Sequence, residues 1–253
     1  MQHFYTVKAK HWKTWLTILV AALFTAIFIW VETESSFSVF STQDKPAALS
    51  KGNENDPNIA LTFNISWGNE KLEPILEQLS EHKVKATFFV NGEWAERHPE
   101  LVDKIKENEH ELGMMGYRYK SYVKQDIEQV RKDLLYAREI FRKLGYPDTT
   151  LLRTPSGHFN AEVLKLAESL GFTVVQWNVN PNDWENPGEQ KIIDHVMNKT
   201  SKGDIILLHA SDSVKQTPQA LTSILPGLKS KGFDYVTISE LISRAEAKSE
   251  MIE

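Results

Sequence analysis

The stretch LTFNISWG occupies residues 61–68 and predicts the first strand of the fold. It begins as an apolar run directly after a polar segment without periodicity, and it ends in small and polar residues. A buried parallel strand that leads into a loop at its C-terminal end has this composition. We therefore predict a buried strand that ends at Asn64 and Ile65 and carries site residues at that end.

Outward from this stretch, strand-like and helix-like segments alternate. The strand-like segments are IALTFNI, ATFFVNG, HELGMMGY, TLLRTPSG, FTVVQWNV, DIILLHA and FDYVTI, which begin at residues 59, 86, 110, 150, 172, 204 and 233. The helix-like segments between them cover 70–81, 93–108, 125–144, 161–170, 189–200 and 216–231, and a polar helical tail follows. This alternation predicts an α/β fold, either a parallel barrel or a doubly wound sheet. In both, the site lies on loops after the C-terminal ends of the strands.

The composition limits the class of protein. With 253 residues, of which 41% are hydrophobic, the chain can bury one substantial core. The net charge of -5 and the lack of a dense Lys/Arg stripe argue against nucleic acid as a partner. The absence of cysteine excludes disulfides, thiolate zinc sites and a cysteine nucleophile.

The N-terminus carries an uncharged apolar run, WLTILVAALFTAIFIWV at residues 15–31, which reaches the lower length limit of a membrane-spanning helix. Three lysines precede it and two glutamates follow it: Lys8, Lys10, Lys13, Glu32 and Glu34. The positive-inside rule then places the N-terminus in the cytoplasm and the large domain outside it, as in a single-pass protein of the cell membrane. A cleaved signal peptide is the alternative.

These observations predict five segments in order. They are a cytoplasmic stub at 1–12, a transmembrane anchor at 13–31, a linker at 32–56, the folded domain at 57–243 and a polar tail at 244–253. The linker is rich in Ser, Asn, Lys, Asp and Glu and shows no periodicity, which is typical of a flexible connection.

The predicted strand ends carry five short motifs: NISW at 64–67, MMGYRY at 114–119, RTPSG at 153–157, NDW at 182–184 and LLH at 207–209. This ordered set resembles the polysaccharide deacetylases, the NodB-homology carbohydrate esterases, whose motifs read T-F-D-D, H-[ST]-x-x-H, R-x-P-x-G, D-W and L-x-H. The resemblance covers about residues 57–243 and implies a distorted (β/α) barrel. HELGMMGYRYKSY and LLHASDSVKQT are most similar to the membrane-anchored, sporulation-associated PdaB-like branch, which implies peptidoglycan or a related N-acetylated glycan as the partner.

The resemblance also implies which residues stand at the metal and base positions. The metal-binding Asp and two His correspond to Ile65, Met115 and Tyr119, and the base corresponds to Asn64. Isoleucine has no lone pair, a thioether is a soft ligand and a neutral phenol ligates poorly. An asparagine accepts no proton at neutral pH. We therefore expect no cofactor, because the divalent metal site of the family has been lost.

The rest of the site is retained in the resemblance. His209 matches the general acid, and Arg153 matches the arginine that orients the base, with Asp183 as its surviving acidic partner. The residues expected to bind substrate are Trp67, Tyr117, Tyr119, Trp184 and Leu207. The rings of the four aromatic residues suit stacking on sugar faces.

Each of these residues also has a structural interpretation. Asn64 can cap backbone groups at a strand end, and His209 can be a hydrogen-bonded structural histidine. Met114 and Met115 fit the core better than a metal site. A substitute metal site of His158, Asp183 and His209 is the remaining alternative, although no spacing supports it.

Two functional hypotheses follow. The first is a glycan-binding member of the family that is weakly active or inactive, a pseudoenzyme facing peptidoglycan during sporulation. The second is an unconventional N-deacetylase in which His209 is the acid and Arg153 stabilises the oxyanion.

Overall fold

The computed structural model describes residues 19, 20, 22, 23 and 46–249. Nearly all of the predicted anchor at 13–31, most of the linker and the last four residues of the tail lie outside the described residues. Within the part of the chain that is described, no helix is both long and apolar enough to cross a membrane.

Seven parallel strands form one sheet. They are β1 Asn58–Ile65, β2 Thr87–Val90, β3 Glu111–Met114, β4 Leu151–Leu152, β5 Thr173–Val174, β6 Ile205–His209 and β7 Asp234–Val236. The spatial order is β5-β4-β3-β2-β1-β6, and β7 pairs with the start of β1. All eight residues of β1 are buried, as expected for an interior strand of a sheet covered on both faces.

The sheet is curled, and the chain segment after β5 reaches β6 at the opposite edge. β5 lies at one edge and β6 at the other, and Val179, a few residues after β5, forms a parallel bridge with Ile206 of β6. Leu49 bridges Val175 within the same segment. The sheet is therefore a curled half-barrel, which agrees with the predicted distorted (β/α) barrel and not with a doubly wound sheet.

Eight helices cover the outside of the sheet in the described part of the chain. They are α1 Leu72–Glu81, α2 Gly92–Arg97, α3 Pro99–Glu107, α4 Ile127–Lys143, α5 Ala161–Ser169, α6 Glu189–Lys199, α7 Thr217–Ser230 and α8 Ile238–Ser249. The prediction of one helix over 93–108 is wrong. The chain breaks at His98, which has non-helical dihedral angles, because the residue before a proline disfavours the helical conformation and Pro99 starts a new helix.

The end of the predicted linker belongs to the folded domain. The backbone N–H of Leu49 donates to Val174, and the Leu49 carbonyl accepts from Gln176. Gly52 donates to the carbonyl of Gly203. Residues from Leu49 onward are therefore hydrogen-bonded to the sheet, and α8 continues past residue 243 into the predicted helical tail.

Helix α1 is capped by a residue that is distant in the sequence. Its own N-cap residue, Lys71, makes no side-chain cap. Instead, Asp212 in the β6–α7 loop accepts hydrogen bonds from the backbone N–H groups of Asn69, Glu70 and Lys71 at 2.8–3.1 Å. A carboxylate satisfies the free donors of a helix start and interacts favourably with the helix dipole. Asp212 therefore connects the loop after β6 to the loop after β1.

We expect Asp212→Ala to lower the free energy of unfolding by about 1–2 kcal/mol, the usual cost of losing an N-cap. Urea denaturation of the full-length protein measures this. Asp148→Ala removes an exposed carboxylate from the α4–β4 loop and should change stability by less than about 0.5 kcal/mol. Equal effects of the two substitutions would contradict the capping role.

Candidate functional site

The site begins where β1 and β6 end side by side. Asn64 is the direct cross-strand partner of His209. Paired residues of neighbouring parallel strands project to the same face of the sheet. The two side chains therefore share one face at the C-terminal edge of the strands, where the chemistry of this class of fold is located.

Arg153 follows β4 and lies fully buried behind Asn64. Its Nη1 donates to Asn64 Oδ1 and to Thr62 Oγ1, both at 3.0 Å. Its Nε donates to the carbonyl of Val175 at 3.2 Å, and its Nη2 donates to the carbonyl of Gln176 at 3.1 Å. The guanidinium thus ties the ends of β1 and β4 to the segment after β5.

No carboxylate balances this buried charge among the described residues, since all four acceptors are neutral. The guanidinium lies over the ring of Phe89 at 4.0 Å and that of Trp177 at 5.3 Å, and these contacts compensate part of the lost hydration. Burial lowers the pKa of Arg153 to about 9, so Arg153 remains charged at pH 7. The prediction that Asp183 is its partner is wrong.

Asp183 instead holds His209. Its Oδ1 lies 2.7 Å from His209 Nδ1, and its Oδ2 accepts from the His209 backbone N–H and from Thr217 Oγ1. Asp183 is fully buried, whereas the His209 side chain keeps 15% of its surface exposed. A carboxylate at Nδ1 fixes the proton there, so Nε2 is the ring nitrogen left for a ligand. Asp183 and His209 therefore form a hydrogen-bonded pair at the end of β6.

The residues at the three metal positions do not fit a divalent ion. Ile65 and Met115 are fully buried among apolar side chains, and Tyr119 is exposed. Among the side chains that the structure describes, no group of three His, Asp or Glu is placed to hold a metal. His158 Nδ1 pairs with Ser121 Oγ at 3.2 Å, so the structure does not assemble the alternative site with Asp183 and His209.

The five residues expected to bind substrate lie in three different environments. Trp67 and Trp184 are 54% and 50% exposed on the loops after β1 and β5, and Tyr119 is 39% exposed on the loop after β3. Leu207 is buried in β6. Tyr117 lies against the helices: its hydroxyl donates to Glu96 of α2, and its ring makes an edge contact with Tyr136 of α4. Its part in sugar binding stays a prediction without contacts to support it.

The hydrogen bonds that position the two tryptophan loops were not predicted. Ser211 Oγ accepts from Ser66 N–H, next to Trp67. Asn186, next to the turn that contains Trp184, donates to the Ser213 carbonyl and accepts from Lys215 N–H. All of these partners lie in the segment after β6, which the motif LLHASDSVKQT includes. That motif was the only signal, and it does not reveal individual bonds.

The curled parallel sheet, with its site at the strand ends, is the architecture of a (β/α) barrel enzyme family, and comparison with known proteins identifies that family. The polysaccharide deacetylase family model matches residues 51–175. A peptidoglycan-N-acetylglucosamine deacetylase of Bacillus cereus is 36% identical over 193 residues, which cover 74% of this chain and 89% of that protein. The chain belongs to the polysaccharide deacetylase family.

Solved structures place the chain near members with and without activity. BA3943, a CE4 family pseudoenzyme from Bacillus anthracis, is 31% identical with a TM-score of 0.73, covering 78% of this chain and 69% of that one. A mutant of BA3943 with restored enzymatic activity gives a TM-score of 0.74 at 31% identity, covering 78% and 71%. The likeness therefore includes a protein whose fold is retained without turnover.

The buried charge of Arg153 generates a stability prediction for Asn64→Asp. A carboxylate beside the guanidinium should raise the free energy of unfolding at pH 7 by about 3 kcal/mol, the reverse of the cost of breaking a buried ion pair. Arg153 should lower the pKa of the introduced Asp carboxyl group. The gain should be complete above the ordinary Asp pKa of about 3.9 and should be lost as the pH falls through the lowered pKa.

Urea denaturation across this pH range measures the effect of Asn64→Asp. The matched control is Asn198→Asp, the same chemical change at an exposed position of α6, which should shift stability by less than about 0.5 kcal/mol. A loss of stability in Asn64→Asp at pH 7 would show that the cost of burying the carboxylate exceeds its attraction to Arg153.

The unsuitable donor set generates a prediction about metal. Purified full-length protein should retain no stoichiometric Zn²⁺, Mn²⁺ or Co²⁺ after dialysis. A chelator should leave its Tm unchanged, because only a ligand of the native state raises stability. One bound ion per chain together with a chelator-sensitive Tm would contradict this prediction.

Proposed function

We propose that this protein binds an N-acetylated cell-wall glycan, with peptidoglycan as the partner, and does not turn it over efficiently. The observation that carries the proposal is the hydrogen bond from Arg153 to Asn64 Oδ1. It fixes an amide at the position where the family places its base, and an amide accepts no proton at neutral pH. The pseudoenzyme among its structural neighbours supports the same proposal.

The lost and retained halves of the site have different consequences. Hydrolysis of an acetamide needs a polarised carbonyl, an activated water and an acid for the leaving amine. Asn64, Ile65 and Met115 supply neither a base nor ligands for a Lewis acid. The open strand ends and the exposed Trp67 and Trp184 still offer a surface for a sugar. Binding therefore needs fewer of the family's site residues than turnover does.

A slow, unconventional deacetylase is the second candidate, and the intact pair of Asp183 and His209 favours it. Imidazole oriented by a buried carboxylate can protonate a leaving amine. Arg153 cannot serve as a direct oxyanion donor, because its guanidinium is fully buried and bonded to four neutral acceptors. This candidate therefore relies on His209 alone.

We also propose a cellular setting. The charge asymmetry around the apolar run at residues 15–31 supports a single-pass anchor with the domain outside the cytoplasm. The resemblance of HELGMMGYRYKSY to the PdaB-like branch supports a role in sporulation. In this setting the domain faces the peptidoglycan that it binds.

The proposal predicts glycan binding without acetate release. Full-length protein should sediment with insoluble peptidoglycan and bind the soluble tetramer of N-acetylglucosamine in calorimetry. Trp184→Ala should weaken this binding by about 1–2 kcal/mol, the loss typical of an important aromatic contact. Leu135→Ala, which removes an equally exposed apolar side chain from α4, should leave binding unchanged.

Turnover separates the two candidates. The unmodified protein should release no acetate from the tetramer above background, and Asn64→Asp alone should not create turnover, because the metal ligands remain absent. Acetate release by the unmodified protein that is abolished by His209→Ala would favour the second candidate. Failure to bind either peptidoglycan or the tetramer would refute the proposed function.

A further inference from the structure

We infer that Asn64, held in one orientation by Arg153, makes the site selective for an acetylated amino sugar over the corresponding free amine. This inference rests on the proposed glycan-binding function and deepens it. It concerns the direction of one hydrogen bond, which follows from the contacts of the Asn64 side chain.

The orientation of the Asn64 amide is fixed by its neighbour. A guanidinium has donors and no acceptor, so the Asn64 atom facing Arg153 Nη1 at 3.0 Å must be the oxygen. Thr62 Oγ1 accepts from the same Nη1, at 3.0 Å. The NH₂ end of Asn64 therefore points away from Arg153 and cannot exchange places with the oxygen without leaving a buried donor unpaired.

The Asn64 NH₂ group has no hydrogen-bond partner among the described residues and keeps a small solvent contact. No acceptor that the structure describes bonds to Nδ2, and the backbone carbonyl of Asn64 accepts from Ala210 N–H. Nδ2 is also not among the enclosed unpartnered side-chain atoms of the described residues, which are Gln78 Oε1, Asn91 Oδ1, His110 Nε2 and Gln216 Oε1. Asn64 retains 5% exposure at the face it shares with His209. The site thus presents a fixed donor where the family presents a proton acceptor.

This donor recognises a carbonyl oxygen. When a sugar covers Asn64, the last solvent contact of Nδ2 is lost, and an unpaired buried donor is costly. The oxygen of an acetamido group accepts the bond from Nδ2. An ammonium group has only donors. It leaves Nδ2 unpaired and brings a positive charge toward buried Arg153.

An aspartate, the residue of the family motif at this position, would have the opposite preference. With Asn64→Asp, one carboxylate oxygen would pair with Arg153, and the second would take the place of Nδ2 and face the site. That oxygen accepts from an ammonium and repels a carbonyl oxygen. A single change from amide to acid therefore exchanges recognition of the acetylated sugar for recognition of its deacetylated product.

The test compares two probes on the full-length protein. Calorimetry measures binding of the tetramer of N-acetylglucosamine and of the tetramer of glucosamine, at a pH where the sugar amines are protonated. We expect the unmodified protein to bind the acetylated tetramer on the order of ten-fold or more tightly than the deacetylated one. Asn64→Asp should abolish or reverse this ratio. Asn198→Asp should preserve it.

The outcomes distinguish selectivity for the acetyl group from glycan binding itself. Equal affinity of the unmodified protein for both tetramers would overturn the inference and leave the proposed glycan binding intact. So would a ratio that persists in Asn64→Asp after its folding has been verified by its Tm. Binding of neither tetramer nor of insoluble peptidoglycan would overturn both. An acetate assay on each mixture ensures that the measured affinity belongs to the intact probe.

Discussion

One buried guanidinium organises this domain. Arg153 has no solvent exposure and no carboxylate partner among the described residues, and its bonds reach β1 and the carbonyls of Val175 and Gln176. A buried charge is tolerated only where its donors are satisfied, so these acceptors must keep their positions. The same bonds orient the amide of Asn64. The requirement to satisfy Arg153 therefore determines both how the sheet ends are joined and what the site presents to a ligand.

The sequence predicted the fold well because its strands are short apolar runs between amphipathic helices, and this pattern depends on local composition. The prediction was wrong for Asp183, whose hydrogen-bond partners are distant in the sequence. Asp183 was expected beside Arg153, yet the segment 178–180 runs along β6, and the backbone of His209 and the hydroxyl of Thr217 capture the carboxylate. No periodicity in a sequence indicates which of two buried cations or donors a carboxylate will reach.

The positions of the motif residues along the strands were more predictable than the contacts of their side chains. The motifs located Asn64 and His209 at the ends of β1 and β6, and the structure makes them direct neighbours. Tyr117 belongs to the same motif as Tyr119 but packs on helices, because Glu96 and Tyr136 offer it a partner for each part of its side chain. A motif gives the position of a residue along a strand end, whereas the direction of its side chain depends on what the neighbouring helices supply.

The short strand-like segment around Leu49 has a mechanical meaning. Leu49 is hydrogen-bonded to Val174 and Gln176, and the carbonyls of Val175 and Gln176 supply two of the four acceptors of Arg153. Any force that acts on the chain N-terminal to residue 49 is therefore applied next to the guanidinium and not to a remote corner of the domain. A pull on the chain before Leu49 would therefore act on Gln176, which is bonded both to Leu49 and to Arg153.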